Sequence, residues 1–290
     1  MAFFITIIRN EVYQTAKRNL NWTEDKLKRF IKEGRGTGEG KDYKPWLITQ
    51  DFPSMGIATR VFGKKTNRMH HFFSNTQLEY FYLLEWEDSV VDIREHYPIL
   101  DLEDTINDDN DLKLSKFEDK GSKIPYIIST TFLVTLIDDN GNNRYAARCV
   151  KYASELNKKI TLEKLEIERR YWGIKGIDWG IVTNKDINNY RAKNIEWLHS
   201  ALLGNEYLKC DKEEFSGLLK GLFFRLIESE ASTRKVITEF EQDYGLDKGN
   251  GLLLFKYLLA NKIITLNMNK QINLNDKTNS LILEFKEDWE

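Results

Sequence analysis

The chain is poor in the residues that build covalent or metal-bound frameworks. It has two cysteines, Cys149 and Cys210, and four histidines among 290 residues. Two cysteines so far apart give neither a disulfide framework nor the paired spacing of a zinc site. They therefore predict a protein of a reducing compartment.

Long apolar runs and a strong net charge are also missing. The N-terminal stretch "AFFITII" is too short for a membrane span, and it lacks the preceding charges and the cleavage site of a signal peptide. We therefore expect a cytoplasmic protein with no membrane contact. With 41% hydrophobic and 30% charged residues, the composition is ordinary for a globular protein, and the length suits two domains.

The net charge of −2 hides an asymmetry along the chain. Residues 1–70 carry 14 Lys and Arg against 7 Asp and Glu, whereas residues 71–123 carry 5 against 14. A basic front with aromatic residues among it could contact phosphates, and Lys41, Lys44 and His70 are its candidates. A solvated helix surface explains the same charges equally well.

The first part of the chain has one strong helix signal. In Ser74–Trp86, Ser74 and Gln77 form the S-x-x-Q pattern of a capping box. A weaker helix, Asp25–Glu33, ends in "EGRGTGEGKDY", which we interpret as a mobile loop. This loop lacks the spacing of a phosphate-binding loop. The acidic run 101–119 reads as a solvated excursion between elements.

The central region predicts an α/β core around a mixed sheet. Ile127–Ile137 is rich in β-branched and aromatic residues, and Asn140-Gly141 is a strong hairpin signal before the strand that ends at Val150. If the turn centres there, Thr131 lies close to Val150. A helix capped by Thr161 and a short buried strand, Ile177–Thr183, follow.

The last hundred residues are mostly helical in pattern. Several helices precede the segments "IITLNM" and "QINLN", which we expect to pair as a terminal ribbon. Helices followed by a β-wing suggest a winged-helix module, with the helix Gly251–Asn261 as DNA reader and Lys256 and Lys262 as contacts. A protein-binding module fits this pattern equally well.

One arrangement of the central elements would carry chemistry. A metal-dependent nuclease places one carboxylate on a helix, one on the first hairpin strand, and an acceptor-x-Lys on the second strand. Cys149-Val150-Lys151 puts a lysine where this core needs one. On its own the lysine is a poor signal, because a strand that ends in Lys usually just ends at the surface.

The chain resembles the TnsA family, the endonuclease subunits of bacterial heteromeric cut-and-paste transposases. The resemblance is carried by collinear segments across residues 31–198, among them "IKEGRGTGEGKDYKPWL", "HHFFS", "LEWEDSVVDIREHYPIL", "STTFLV", "LEKLEIERRYW", "WGIVTNKDI" and "NIEWL". It implies a restriction-endonuclease-like mixed-sheet domain over residues 1–187 and a mostly helical, winged-helix-like domain over 188–290. It also implies Mg²⁺-dependent nicking of transposon 5′ ends, beside a DDE transposase and under an AAA+ regulator.

The catalytic positions of the family are the place where this chain departs from it. The glutamate of the family's "SDLE" falls on Gln77, the aspartate of "STDFLV" on Thr131, and the glutamine of "QVK" on Cys149. Only the lysine remains, as Lys151. Amides and hydroxyls hold a hard divalent cation far less well than carboxylates do.

We therefore expect a TnsA-like subunit with a degenerate nuclease centre, no bound cofactor, and a scaffolding, DNA-binding or partner-binding role. Its expected partners are transposon-end DNA, the DDE transposase, the AAA+ regulator and, as one option, an active paralogue. The alternative is an active endonuclease that recruits Mg²⁺ through Glu166, Glu168 or the acidic run. A DNA-binding regulator that acts alone fits the N-terminal resemblance poorly.

Overall fold

The computed structural model describes residues 22–51, 58–106, 112–203, 208 and 210–286. Residues 1–21 of the basic front, which include the "AFFITII" stretch, and residues 52–57 lie outside these ranges. Within them, no helix is both long enough and apolar enough to cross a membrane.

The glycine-rich segment near the front is folded on itself between two elements. Helix α1 (Glu24–Lys32) begins at the N-cap Thr23 and leads into this segment. The amide of Gly36 donates to the carbonyl of Lys44, and the amide of Lys44 donates to Thr37. Gly36 also packs against Pro98. The predicted mobile loop is thus a hydrogen-bonded loop fixed to the end of a strand.

A small hairpin and one helix precede the main sheet. Strands β1 (Thr59–Gly63) and β2 (Arg68–Phe72) pair antiparallel. Helix α2 (Asn75–Trp86) follows directly, and Ser74 is its N-cap as predicted. The hairpin and the helix lie on one side of the sheet that follows.

The main sheet has four strands in the order β3-β4-β5-β6. Its strands are β3 (Val90–Pro98), β4 (Ser129–Ile137), β5 (Asn143–Lys151) and β6 (Asp178–Thr183). The first three are antiparallel and β6 is parallel to β5, so the predicted mixed sheet is confirmed. Phe132 pairs with Arg148, one residue away from the register that a turn centred on Asn140-Gly141 predicts.

Helices cover both faces of this sheet. Phe81 of α2 packs with Phe132 and Val150 on one face. On the other face lies helix α4 (Lys159–Ile174), which packs through residues such as Trp172 against Leu133. The predicted cap at Thr161 is wrong, because α4 begins two residues earlier and its N-cap is Lys158.

The acidic run is only partly solvated. It contains a short helix, α3 (Leu102–Thr105), and a 3₁₀ turn, Leu114–Phe117. Ile106 and Leu112 are buried in the cluster that also holds Trp172. The apolar residues of this acidic segment thus attach it to the face of the sheet that α4 covers.

The C-terminal region is helical, as predicted, with a two-stranded ribbon at its end. Its helices are α5 (Asn189–His199), α6 (Lys212–Glu228), α7 (Thr233–Asp243), α8 (Asn250–Ala260) and the short α9 (Thr278–Leu281). Strand β7 (Ile264–Leu266) pairs with β8 (Ile282–Phe285). The predicted pairing of "IITLNM" with "QINLN" is therefore wrong, since "QINLN" lies in the connection between the two strands.

Helix α5 belongs to two cores at once. Ile195 packs into the cluster beneath α2, whereas Leu198 packs into the C-terminal cluster with Leu222 and Leu254. The side chain of Asn194 donates to the carbonyls of Met268 and Lys270. The predicted boundary at residue 187 lies just before this shared helix.

Candidate active site

Gln77 is committed to the start of helix α2. Its Oε1 accepts a hydrogen bond from the amide of Phe73 at 2.9 Å, and its own amide donates to Ser74 Oγ at 3.2 Å. The second bond confirms the predicted N-cap at Ser74. The first differs from a capping box, because Gln77 accepts from the amide of Phe73, one residue before the N-cap, and not from that of Ser74. The oxygen that would have to bind a cation is thus occupied by the chain's own backbone.

Thr131 has a similar internal role on β4. Its side chain is buried, and Oγ1 accepts a hydrogen bond from the amide of Val150 at 3.1 Å. Val150 lies between Cys149 and Lys151. This bond therefore brings together three of the four positions that the resemblance aligns with the family's catalytic residues, here called the family positions. No hydrogen bond joins Gln77 to them among the described residues, although α2 packs on the same strands.

Cys149 lies in a buried polar cluster between the sheet and helix α4. Its thiol and the hydroxyl of Thr130 both donate to Glu168 Oε2, each at 2.8 Å. The indole of Trp172 donates in turn to Thr130. Burial raises the pKa of the Cys149 thiol well above its ordinary value, and the nearby Glu168 carboxylate raises it further. A protonated, enclosed thiol is a poor nucleophile.

The glutamates of α4 separate into two groups. Glu163 pairs with Lys116 at the surface, and hydrogen bonds, first from Arg169 and then from Arg170, lower the pKa of Glu166 to about 2. Ion pairing at the surface describes these two. Glu168 differs from them, because it is fully buried beside Cys149.

Glu168 is incompletely satisfied in this position. Its Oε1 has no hydrogen-bond partner within the part of the chain that the structure describes, and the Lys164 ammonium lies 4.0 Å from it. Of the three glutamates, Glu168 is the one that contacts a family position. Its carboxylate is enclosed by hydroxyl, thiol and lysine groups from the chain itself.

Lys151 is the family position that keeps its residue. It ends β5 beside Thr183 of β6 and is half-buried. It forms no ion pair with any residue that the structure describes. A cation therefore remains at the end of this strand without the two carboxylates that the family places around it.

A buried ionic cluster behind the hairpin has no obvious signature in the sequence. Glu95 accepts from the Arg68 guanidinium, from His70 Nδ1 at 2.8 Å and from the amide of His71. Burial by itself would raise the pKa of the Glu95 carboxyl, but His70 and Arg68 outweigh burial and hold it well below its ordinary value. The partners lie 24 to 27 residues apart, so no sequence period links them.

His70 is part of this buried cluster and not of a DNA surface. Its side chain is 0% exposed, and Nε2 lies 2.7 Å from Thr66 Oγ1. Both ring nitrogens are engaged, which leaves none for a phosphate. The expected DNA contact by His70 is incompatible with this burial.

The four lysines predicted to contact DNA fall into two groups. Lys41 and Lys44 are exposed on the glycine-rich loop, and Lys44 donates to the carbonyl of Glu33. Lys256 lies 4.4 Å from the centroid of the Trp197 ring, and burial lowers its pKa. Lys262 donates to the carbonyl of Trp86 and to Asp88. The side chains of Lys256 and Lys262 are therefore engaged in contacts within the chain.

The donor set at the family positions does not match what Mg²⁺ prefers. An amide oxygen, a hydroxyl and a thiol replace hard anionic oxygens, and each is bonded within the chain. Throughout the described ranges, no three His, Cys, Asp or Glu side chains are grouped so as to hold a metal ion.

Comparison with known proteins finds similarity over most of the chain. A family model for the TnsA-like endonuclease N terminal matches residues 87–184, and one for the TnsA endonuclease C terminal matches residues 186–268. The chain is 40% identical over 271 residues to the transposon Tn7 transposition protein TnsA of Escherichia coli. That alignment covers 90% of this chain and 92% of the relative.

Proposed function

This chain belongs to the TnsA endonuclease family, and from that premise we propose that it is a transposition subunit whose nuclease centre does not cut. It acts at transposon ends as a scaffold that binds DNA and partner proteins. The proposed partners are a DDE transposase, an AAA+ regulator and a catalytically intact paralogue. The resemblance over nearly the whole chain supports the place of the subunit in such a complex.

The observation that carries the proposal is the use of the substituted side chains inside the fold. Gln77 caps helix α2, Thr131 accepts from the backbone of β5, and Cys149 donates to Glu168. Mg²⁺ does not fit this set, because it prefers anionic oxygen ligands and dehydrates reluctantly. Lys151 can then bind a phosphate of the DNA, but no metal ion is held beside it to activate water.

A cleavage assay tests the proposal directly. The purified chain is incubated with Mg²⁺ or Mn²⁺, transposon-end duplex and the partner transposase, and 5′ nicks are mapped. We expect none from this chain. Nicking that disappears in Lys151→Ala, but persists in the surface control Lys158→Ala, would overturn the proposal.

Restoring the carboxylates tests the same idea from the other side. Gln77→Glu keeps the helix start, because a glutamate oxygen can accept the same hydrogen bond from the amide of Phe73. Thr131→Asp keeps an oxygen for the Val150 amide. We expect this double variant to bind Mn²⁺ in a calorimetric titration, whereas the unmodified chain does not.

Cys149→Gln is added to the double variant only in a second step. Cys149 is 1% exposed, so a larger side chain must displace its neighbours, and failure of the triple variant alone would be ambiguous. Binding of Mn²⁺ by the unmodified chain as tight as that of the double variant would contradict the proposal.

A further inference from the structure

The helix that the sequence suggests as a DNA reader cannot serve as one in this fold. Every residue of α8 is buried or half-buried. Lys256 packs on Trp197, and Lys262 is held by Trp86 and Asp88. A DNA contact in the C-terminal region therefore needs other side chains.

The connection after β7 presents polar side chains to solvent. We call residues 267–277 the asparagine edge; its exposed members are Asn267, Asn269, Lys270, Gln271, Asn273, Asn275, Asp276 and Lys277. The intervening Met268, Ile272 and Leu274 are half-buried against the C-terminal core. The segment thus keeps its apolar residues inward and its amides and lysines outward.

Hydrogen bonds from two helices hold the asparagine edge in place. Asn194 of α5 donates to the carbonyls of Met268 and Lys270 at 2.9 and 2.7 Å. At the start of α7, the amide of Arg234 donates to the carbonyl of Leu274, and its Nε donates to Asn275 Oδ1 at 3.0 Å. The segment is therefore presented by a rigid frame, which reduces the entropy lost on binding.

Several of its side chains are free to meet a ligand. Those of Asn269, Lys270, Gln271 and Lys277 form no hydrogen bond or ion pair with any residue of the described ranges. The one acid of the edge, Asp276, accepts from the side chain of Asn273 at 2.7 Å. Exposed cations beside unoccupied amides suit a partner with phosphates and base edges.

On this basis, and resting on the proposed function, we propose that the asparagine edge is a surface by which this chain binds duplex DNA. Lys270 and Lys277 contact phosphates, and Asn269 and Gln271 lie where base edges would come within reach. A protein partner fits less well, since protein interfaces rely on aromatic and large apolar side chains. The edge exposes none, because its three apolar residues point into the core.

Two double variants with the same change in charge test the surface. Lys270→Ala/Lys277→Ala removes two cations from the edge, and Lys220→Ala/Lys248→Ala removes two exposed lysines elsewhere in the C-terminal region. Binding of the full chain to a fluorescent transposon-end duplex is measured by anisotropy over a range of salt concentrations. We expect the edge variant to bind several-fold more weakly, with a salt slope smaller by roughly two, and the control to bind nearly as the unmodified chain does.

Two outcomes overturn the inference: equal effects of the two double variants, or no DNA binding by the unmodified chain. The first assigns the effect to overall charge, and the second leaves the surface without its ligand. Neither result bears on the proposed loss of cleavage, which is read from 5′ nicking and not from binding. A chain that nicks DNA through Lys151 could still bind it through the asparagine edge.

Discussion

At the scale of single residues, His96 of β3 shows how burial sets the charge of a side chain. It is 4% exposed and has a left-handed backbone, with φ of 50°. Its Nε2 lies 2.9 Å from the carbonyl oxygen of His71, so the neutral ring donates there. Burial lowers the pKa of His96 from 6.5 to about 4.

This pKa predicts a loss of stability in mild acid. Between pH 6.5 and 4 the unfolded chain binds a proton at this histidine that the folded chain does not, so the free energy of unfolding falls as the pH falls. The contribution of His96 is on the order of 3 kcal/mol. We expect His96→Asn, which tolerates the left-handed backbone, to flatten the dependence of urea unfolding on pH in this window. Curves of equal slope for the two proteins would contradict the assignment.

Only part of the candidate active site could be predicted from the sequence. The cap formed by Ser74 and Gln77 is local, so the spacing alone predicts it. The bond between Cys149 and Glu168 joins residues 19 positions apart on a strand and a helix, and it depends on how α4 lies on the sheet. No local pattern contains that information.

At the scale of elements, two glycines of the glycine-rich loop differ in how closely the rest of the chain packs against them. Gly36 has φ of 80°, and a Cβ built on it would lie 2.2 Å from Pro98 Cγ. Gly40 also has a positive φ, 53°, but nothing lies within 4 Å of its Cβ position. A Cβ at Gly40 would therefore introduce only backbone strain, whereas a Cβ at Gly36 would introduce backbone strain and a steric clash.

We predict that alanine is tolerated at one of these glycines and not at the other. Gly40→Ala meets only the cost of a left-handed backbone, about 1 kcal/mol. Gly36→Ala adds a clash with a strand end that cannot easily move, for about 1–3 kcal/mol more. Denaturant unfolding of the two variants measures the difference, and equal midpoints would show that the loop is not fixed to Pro98.

The ribbon at the C-terminal end shows the limit of local strand signals. Both "IITLNM" and "QINLN" have strand-like composition, and a turn between them was the simplest prediction. The apolar residues of "QINLN" are instead drawn to the helical core, and β7 pairs with the later strand β8. Burial of these apolar residues in the helical core therefore outweighed the local preference for a turn between the two segments.

At the scale of the whole molecule, a few polar contacts tie the C-terminal region to the nuclease-fold region. Lys262 reaches back to Asp88 and to the end of α2. Helix α5, whose Ile195 packs into the cluster beneath α2, also bonds to the asparagine edge through Asn194. The region that carries the proposed DNA surface is thus connected to the region that carries the proposed degenerate centre.

Asn194 is predicted to fix the asparagine edge to helix α5. Asn194→Ala leaves the carbonyls of Met268 and Lys270 without their donor, for a loss of about 1–3 kcal/mol. Lys193→Ala, at the exposed neighbouring position, is the control and should be nearly neutral. We expect faster proteolysis after the exposed lysines of the asparagine edge in Asn194→Ala alone. Identical cleavage of both variants would mean that the edge is held by its apolar contacts.

The sequence by itself determined the family, the mixed sheet and the helix cap at Ser74, and it predicts that neutral residues stand at both positions where the family resemblance implies acidic ligands. These depend on residue identity, on local spacing and on periodic patterns. Only the tertiary structure decided what the substituted residues do, that His70 is buried, that Lys256 and Lys262 serve packing, and that the asparagine edge faces solvent. These depend on contacts between residues far apart in the chain, which no local pattern encodes.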